Sequence, residues 1–327
     1  MAIRVGVIGM GLMGELHAQV YRSLPGVTLV GLAEVDAAKH EALRRQFGVP
    51  VYADPGELLD QVDAVSVCTP DHLHKEPILE AFRRGVKVLV EKPLGVSVEE
   101  AEQVLRARPD PSFLMVGHIL RFDPRVIHCR RLIREGALGP LWYVKLWRHN
   151  SLNSGRKIGP RTSVTWFLGI HDVELLLWLT GRKAISVNAI GRKLFTPHWD
   201  VVHAHIKMEG GVLASVENSW ILPVERASGL DAGIKIYGET GTAEINLTHS
   251  DVAVSTVRDG RQIQLDTYHW PTDGEVPYGD LRRQLEAFVR SVADNAVPPV
   301  TGEQGLEAVR VVERIEQSLE TGREMSV

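Results

Sequence analysis

"VGVIGMGLMGELHAQVY", Val5 to Tyr21, decides the fold of this chain. A short β-branched run ends in a Gly-x-Gly-x-x-Gly spacing, Gly9, Gly11 and Gly14, and a helical pattern follows at once. In a strand–turn–helix of this kind the first glycine allows the tight turn, the second lets the backbone approach a pyrophosphate, and the third lets the helix pack closely. The first N–H groups of the helix have no intrahelical partner and face the anion. The glycines alone are a weak signal. Glu34, twenty residues past Gly14 at the end of the next predicted strand, strengthens it, because a carboxylate there accepts hydrogen bonds from the adenosine ribose hydroxyls. A 2'-phosphate would meet like charge, and the next residue is Val35 rather than Arg, so NAD is expected in preference to NADP. The expected cofactor loop is Gly9, Met10, Gly11, Leu12, Met13 and Gly14.

Outward from that stretch, residues 3 to about 117 alternate strand and helix. The runs "IRVGVIG", "VTLVGLAE", "AVSVC", "VKVLVE" and "FLMVG" are separated by helical segments such as "AAKHEALRRQFG" and "HKEPILEAFRRG". Continuous apolar strands between amphipathic helices predict a parallel sheet covered on both faces, a doubly wound α/β domain. After about residue 140 the character changes, and all seven tryptophans lie from Trp142 onward. "VVHAHIKM", "GVLASVENSWI", "GIKIYGETGTAEINL" and "DVAVSTV" succeed one another without helices between them, which predicts a large, mostly antiparallel open sheet in an α+β domain. Two helical segments, "YGDLRRQLEAFVRSVADN" and "GEQGLEAVRVVERIEQSLETG", close the chain. The expected division is 1–120 and 121–327.

With 37 Lys plus Arg against 41 Asp plus Glu, the 327 residues carry a net charge of -4, which gives no global attraction for nucleic acid or an anionic membrane. Two cysteines, Cys68 and Cys129, cannot build a disulfide framework, and their spacing fits no zinc motif. His72 with His74, and His203 with His205, have HxH spacing, yet nothing nearby supplies the third and fourth ligands of a zinc site, so no metal is expected. The N-terminus has no secretory pattern, and no apolar run reaches ~18 residues. A cytoplasmic protein is expected.

"VLVEKPLG" ends the fifth strand with Glu91, Lys92 and Pro93. Ligands of open α/β sheets sit beyond the carboxyl ends of the strands, which aims Lys92 at the nicotinamide end of the crevice. Proline restricts the residue before it to extended geometry, so the backbone holds Lys92. "WFLGIHDVELLLWLTG", Trp166 to Gly181, reads as a core helix carrying His171 and Asp172 side by side. A lone histidine on an apolar helix is more often a satisfied core residue than a catalyst.

The chain resembles the Gfo/Idh/MocA oxidoreductases over almost its whole length. The likeness rests on "GVIGMGLMGELHAQVY", "CTPDHLHKEPILEAFRRGVKVLVEKPLG", "VGHILRFDPRV" with "REGALGPLWYVK", and "GIHDVELLLWLTG". It implies an N-terminal Rossmann domain carrying NAD(P) and a C-terminal α+β domain whose open sheet makes a homodimer or homotetramer interface. It also implies reversible hydride transfer at a secondary alcohol of a sugar, nucleotide-sugar or cyclitol. On these residues the family's catalytic lysine falls on Lys92 and its general acid–base histidine on His171. Its cofactor contacts fall on Thr69, Pro70 and His74; beyond these, Glu91 is expected at the cofactor, and Arg121 and His118, from the "GHILRF" strand end, as second-line contacts to cofactor and substrate. The family commonly carries Asp four residues before that histidine, where this sequence has Phe167. An aspartate there could orient the ring, since i and i+4 share a helix face. Phe167 cannot, and Asp172, turned roughly 100° away, is not its replacement. Phe167 could instead pack on a sugar face.

From Leu141 to His171 there is no acidic residue, while Lys145, Arg148, Arg156, Lys157 and Arg161 are basic. This suggests an anionic group on the substrate, with Arg148 and Arg161 as contacts. Several blocks look like the UDP-N-acetylglucosamine 3-dehydrogenase branch of the family. A free polyol or sugar fits as well, and the basic run could be a solvated loop or subunit contact. The reading from a different class is a non-catalytic NAD(P)-binding or regulatory protein, with Phe167 marking lost chemistry.

Overall fold

The computed structural model describes residues 2–248, 253–255, 262–264, 269–274 and 276–327. They form two compact units, Met1–Ile119 with Tyr268–Leu306, and Leu120–Thr267 with Glu307–Val327.

In the first unit β1 (Ile3–Ile8), β2 (Val27–Ala33), β3 (Val51–Tyr52), β4 (Ala64–Val67), β5 (Lys87–Glu91) and β6 (Leu114–Gly117) make one sheet in the order β3-β2-β1-β4-β5-β6. Every pairing is parallel. α1 (Leu12–Ser23), α2 (Ala37–Phe47), α3 (Pro55–Leu59), α4 (Lys75–Arg83) and α5 (Val98–Ala107) connect the strands. Val5, Val7, Val65, Val67, Val88 and Val90 are wholly buried, because a parallel sheet is covered on both faces and its strands need not alternate. The strand order reverses between β1 and β4, which opens a crevice at their carboxyl ends. β3, only two residues long, leaves no periodicity to read in the sequence.

In the second unit β7 (Leu141–Ser151), β8 (Ala184–Arg192), β9 (Val201–Met208), β10 (Leu213–Leu222), β11 (Leu230–Gly238), β12 (Thr242–Asn246) and the C-terminal strand Met325–Ser326 form a seven-stranded sheet. Its order is β12-β11-β7-β10-β9-β8 and then the C-terminal strand. Only β7 and β10 pair in parallel. α6 (Pro124–Arg134), α7 (Leu152–Ile158) and α8 (Ile170–Thr180) belong to the same unit, and the last two pack on β7 and β10. The strands alternate as a half-covered sheet must. Val144, Leu146, Val216, Ile206, Ala204 and Ile234 are buried on one side, and His203, His205, Leu213 and Ile190 stand exposed on the other. Of the predicted strand "DVAVSTV", Ala253–Ser255 pairs antiparallel with Gln262–Gln264, and the rest lies outside the described residues.

The division expected at 120 differs from the structure in its second half. α9 (Gly279–Ala293) returns to the first unit and packs against α1 and β1, burying Leu281, Leu285 and Phe288. Those residues form one helical stripe. Periodicity shows that such a helix has an apolar face but not which surface covers it. The closing helix is α10 (Gly302–Thr321). No helix among the described residues is long and apolar enough to cross a membrane.

Candidate active site

The turn from β1 into α1 brings the sequence-predicted cofactor residues together. Gly9 has φ +89°, and a Cβ on it would lie 2.8 Å from the backbone N of Thr69. A Cβ on Gly14 would lie 2.0 Å from the carbonyl oxygen of Gly9, so only glycine lets the helix sit this close to its own turn. At Gly11 nothing lies within 4 Å, and no side chain caps the start of α1. Open space at uncapped N–H groups is what a pyrophosphate requires. Glu34, at the end of β2, turns onto the same loop: its Oε2 accepts the Met10 N–H at 3.0 Å and its Oε1 the Asp36 N–H at 2.9 Å. The Met10 side chain is buried, whereas Leu12 is exposed. The open space at Gly11, the uncapped start of α1 and the carboxylate of Glu34 on the same loop fit an NAD-binding turn.

Lys92 follows β5 and is joined to Pro93 by a cis peptide. His74, at the start of α4, is buried beneath it. Its Nδ1 lies 2.8 Å from the Pro93 carbonyl and its Nε2 2.9 Å from that of Thr69. Burial pulls the imidazole below its ordinary pKa, against those two carbonyls and the charges of Glu91 and Asp71. His74 is therefore buried between the Thr69 and Lys92 turns, where its neutral ring donates to one of the two carbonyls, rather than facing the crevice as expected. Thr69 and Pro70 lie half-buried and exposed above it. Glu91, also expected at the cofactor, is 8% exposed and faces inward to His17. Burial pushes the Glu91 carboxyl up, but His17, Lys92 and His74 outweigh it and hold it below its ordinary pKa. His118, after β6, is 2% exposed.

In the second unit the segment before α8 is a π-helical turn, Thr165–Gly169, in which the Ile170 N–H reaches back to the carbonyl of Thr165. This wide turn inserts a residue, so the i, i+4 stacking expected of an α-helix does not run unaltered from Phe167 to His171. The Phe167 ring packs against Trp220, with centroids 5.9 Å apart. His171 is half-buried at the start of α8. Asp172 is wholly buried and turned to the sheet. It accepts from Arg148 Nε at 3.0 Å, from Arg148 Nη2 at 2.9 Å and from Asn218 Nδ2 at 2.8 Å. Burial pushes its carboxyl up, and Arg148 and Asn218 pull it down.

Two arginines expected at ligands are thereby placed differently. Arg148 is 4% exposed and committed to Asp172, because β7 alternates and its even-numbered side chains point under α8. Arg121 is 6% exposed, paired with Glu174, and its guanidinium lies 5.2 Å from the Trp178 ring centroid. Arg161 is exposed. A residue that the sequence reading passed over is His17, on the inward face of α1 with Tyr21 four residues on. The signal was available in "GELHAQVY", as two polar rings spaced to share a helix face.

Residues 3–118 match a family model described as an oxidoreductase family with an NAD-binding Rossmann fold, and residues 126–244 match the GFO/IDH/MocA C-terminal domain. The chain belongs to the Gfo/Idh/MocA family. As a member it carries an NAD-binding Rossmann domain and is an NAD-dependent oxidoreductase acting on CH–OH groups. Among Gfo/Idh/MocA relatives it is 29% identical to an inositol 2-dehydrogenase of Rubrobacter xylanophilus, over 74% of this chain and 71% of that one. It is 30% identical to a UDP-N-acetylglucosamine 3-dehydrogenase of Acidithiobacillus ferrooxidans, over 67% of this chain and 68% of that one. Its fold matches the crystal structure of a scyllo-inositol dehydrogenase from Lactobacillus casei with bound NAD(H) and scyllo-inositol, with a TM-score of 0.82 at 20% identity, covering 100% and 99% of the two chains.

Proposed function

We propose that this Gfo/Idh/MocA protein oxidises a secondary alcohol of an uncharged cyclitol or free sugar, with Lys92 and His171 as its catalytic residues. The observation that carries the reading is the placement of Lys92 at the carboxyl end of β5, in the sheet whose β1 and β2 ends bear the glycine loop and Glu34. NAD, when bound, supplies the hydride acceptor. His171 takes the proton of the substrate hydroxyl as the carbinol hydrogen departs, a role worth about 10²- to 10⁴-fold in rate. The Lys92 ammonium stabilises the oxygen as negative charge gathers on it.

An uncharged substrate is favoured by what the basic segment does. Arg148 is neutralised by Asp172, and Lys145 points to the opposite face of the sheet, 2.7 Å from Glu217. Two of the five cations that suggested an anionic group are thus unavailable to one. The names of several relatives, including the inositol 2-dehydrogenase above, support a cyclitol. The uncovered sheet face, with the stacked Tyr143–Tyr237 pair and exposed Leu213 and Ile190, supports a homodimer or homotetramer built through that face. Cys68 and Cys129 are both free, which suits the reducing cytoplasm. The test is NADH formation across myo- and scyllo-inositol, free sugars, sugar acids and UDP-sugars. Oxidation confined to the charged substrates would overturn the assignment.

A further inference from the structure

We propose that His17 is a positioning residue for Lys92: its Nε2–H orients the buried Glu91 carboxylate, whose charge in turn acts on the ammonium of the adjacent lysine. The inference rests on the assignment of Lys92 as catalytic.

His17 lies on α1, the helix that opens the nucleotide site, and is wholly buried. Its Nε2 faces Glu91 Oε1 at 3.3 Å, an ion-pair distance, and neither atom makes a hydrogen bond to any other group among the described residues. Its Nδ1 is 3.0 Å from Ser66 Oγ, and Ser66 Oγ is 2.7 Å from Tyr21 Oη. The donors order themselves in one direction. A buried Tyr21, whose pKa burial raises, keeps its proton and donates to Ser66. Ser66 then donates to His17 Nδ1, and a neutral imidazole with Nδ1 as acceptor must carry its proton on Nε2, toward Glu91. A chain of bonds polarised in one sense strengthens each member. The tautomer is thus set by a tyrosine on the same helix and a serine on β4.

The titratable groups facing this cluster are Cys68, His74 and Lys92. Cys68 Sγ lies 3.6 Å from His17 Nδ1, and burial raises its thiol well above the ordinary value, so it stays protonated. His74 and Lys92 act on Glu91 through space. Charge coupling is reciprocal, so an ionised Glu91 favours the protonated form of Lys92. Without the His17 donor, burial acts on Glu91 unopposed by its closest partner, and the carboxylate loses both its aim and part of its charge.

The test reads Lys92 directly, in the full-length protein without NAD, from the pH dependence of acetic anhydride labelling of the Lys92 peptide by mass spectrometry. Four proteins are compared with wild type. His17→Asn reaches Ser66 but not Glu91, His17→Gln restores a donor at the Nε2 position, Glu91→Gln removes the charge, and the fourth combines His17→Asn with Glu91→Gln. The labelling midpoint should fall by about one pH unit in His17→Asn and in Glu91→Gln. It should stay near wild type in His17→Gln, and fall no further in the double variant. An unchanged midpoint in His17→Asn, or additive falls in the double variant, overturns the proposal. Should His17→Asn not fold, a midpoint in His17→Gln as low as in Glu91→Gln overturns it equally. Wild-type turnover in Lys92→Ala would instead remove the catalytic assignment, while the labelling still judges the coupling.

Discussion

Arg148 donates from Nε and from Nη2 to a single oxygen of Asp172, at 3.0 and 2.9 Å, beneath the helix that carries His171. The other oxygen accepts from Asn218 on β10, and a Cβ on Gly169 would come within 2.6 Å of the same asparagine's Oδ1. The start of α8 is therefore clamped to the sheet by one buried carboxylate. Breaking a buried pair by removing one partner leaves the other uncompensated, so Asp172→Ala should cost about 3–5 kcal/mol. Arg148→Met combined with Asp172→Leu should recover most of that loss. Urea denaturation of the three proteins checks both statements, and equal losses in the single and double variants would refute the clamp.

The glycine loop separates two effects that a single substitution usually mixes. Gly14→Ala forces a Cβ to 2.0 Å from the Gly9 carbonyl, and it should lower both Tm and NAD affinity. Gly11→Ala enters open space, so Tm should stay near wild type while NADH affinity falls by about tenfold or more. Differential scanning fluorimetry and NADH fluorescence titration give the two readouts.

The Glu34 carboxylate would meet a 2'-phosphate with like charge, so we propose that it sets the choice of dinucleotide. Glu34→Gln should narrow the preference for NAD over NADP by about tenfold, a change of about 1.4 kcal/mol. Dissociation constants for both dinucleotides test this, and an unchanged ratio would show that Glu34 does not face the 2'-position.

Acid sensitivity should trace in part to His74. Burial depresses its pKa in the folded protein, so the unfolded chain takes up a proton first as pH falls. Its contribution to stability is complete above about pH 6.5 and declines as pH drops toward the folded value. His149, depressed for the same first reason, adds in the same direction. His74→Gln should be less stable than wild type at pH 7.5 and lose less Tm between pH 7.5 and 5.5. An equal or greater loss would contradict the assignment.

The Rossmann half was legible because its signals are local: Gly9, Gly11, Gly14 and Glu34 define the nucleotide loop by spacing, and continuous valine runs define the parallel sheet. The fate of the buried charges was not. Nothing in the sequence distinguishes an arginine facing substrate from one facing Asp172, because the partners are 24 residues apart and on different elements. His17 and Glu91 are separated still further, and they meet only where the buried face of α1 packs on the sheet. The π-turn at Thr165–Gly169 likewise altered the helical spacing on which the comparison of Phe167 with His171 depends. α9 went to the other unit because an amphipathic stripe does not name its partner surface.

The most direct test of the account is NADH formation by wild type and Lys92→Ala on myo- and scyllo-inositol. Wild type should turn these alcohols over, and the variant should show a kcat reduced by about 10² or more with NAD affinity nearly intact. Equal turnover by the two proteins, or no NADH from wild type with any alcohol of the panel despite tight NAD binding, would contradict it.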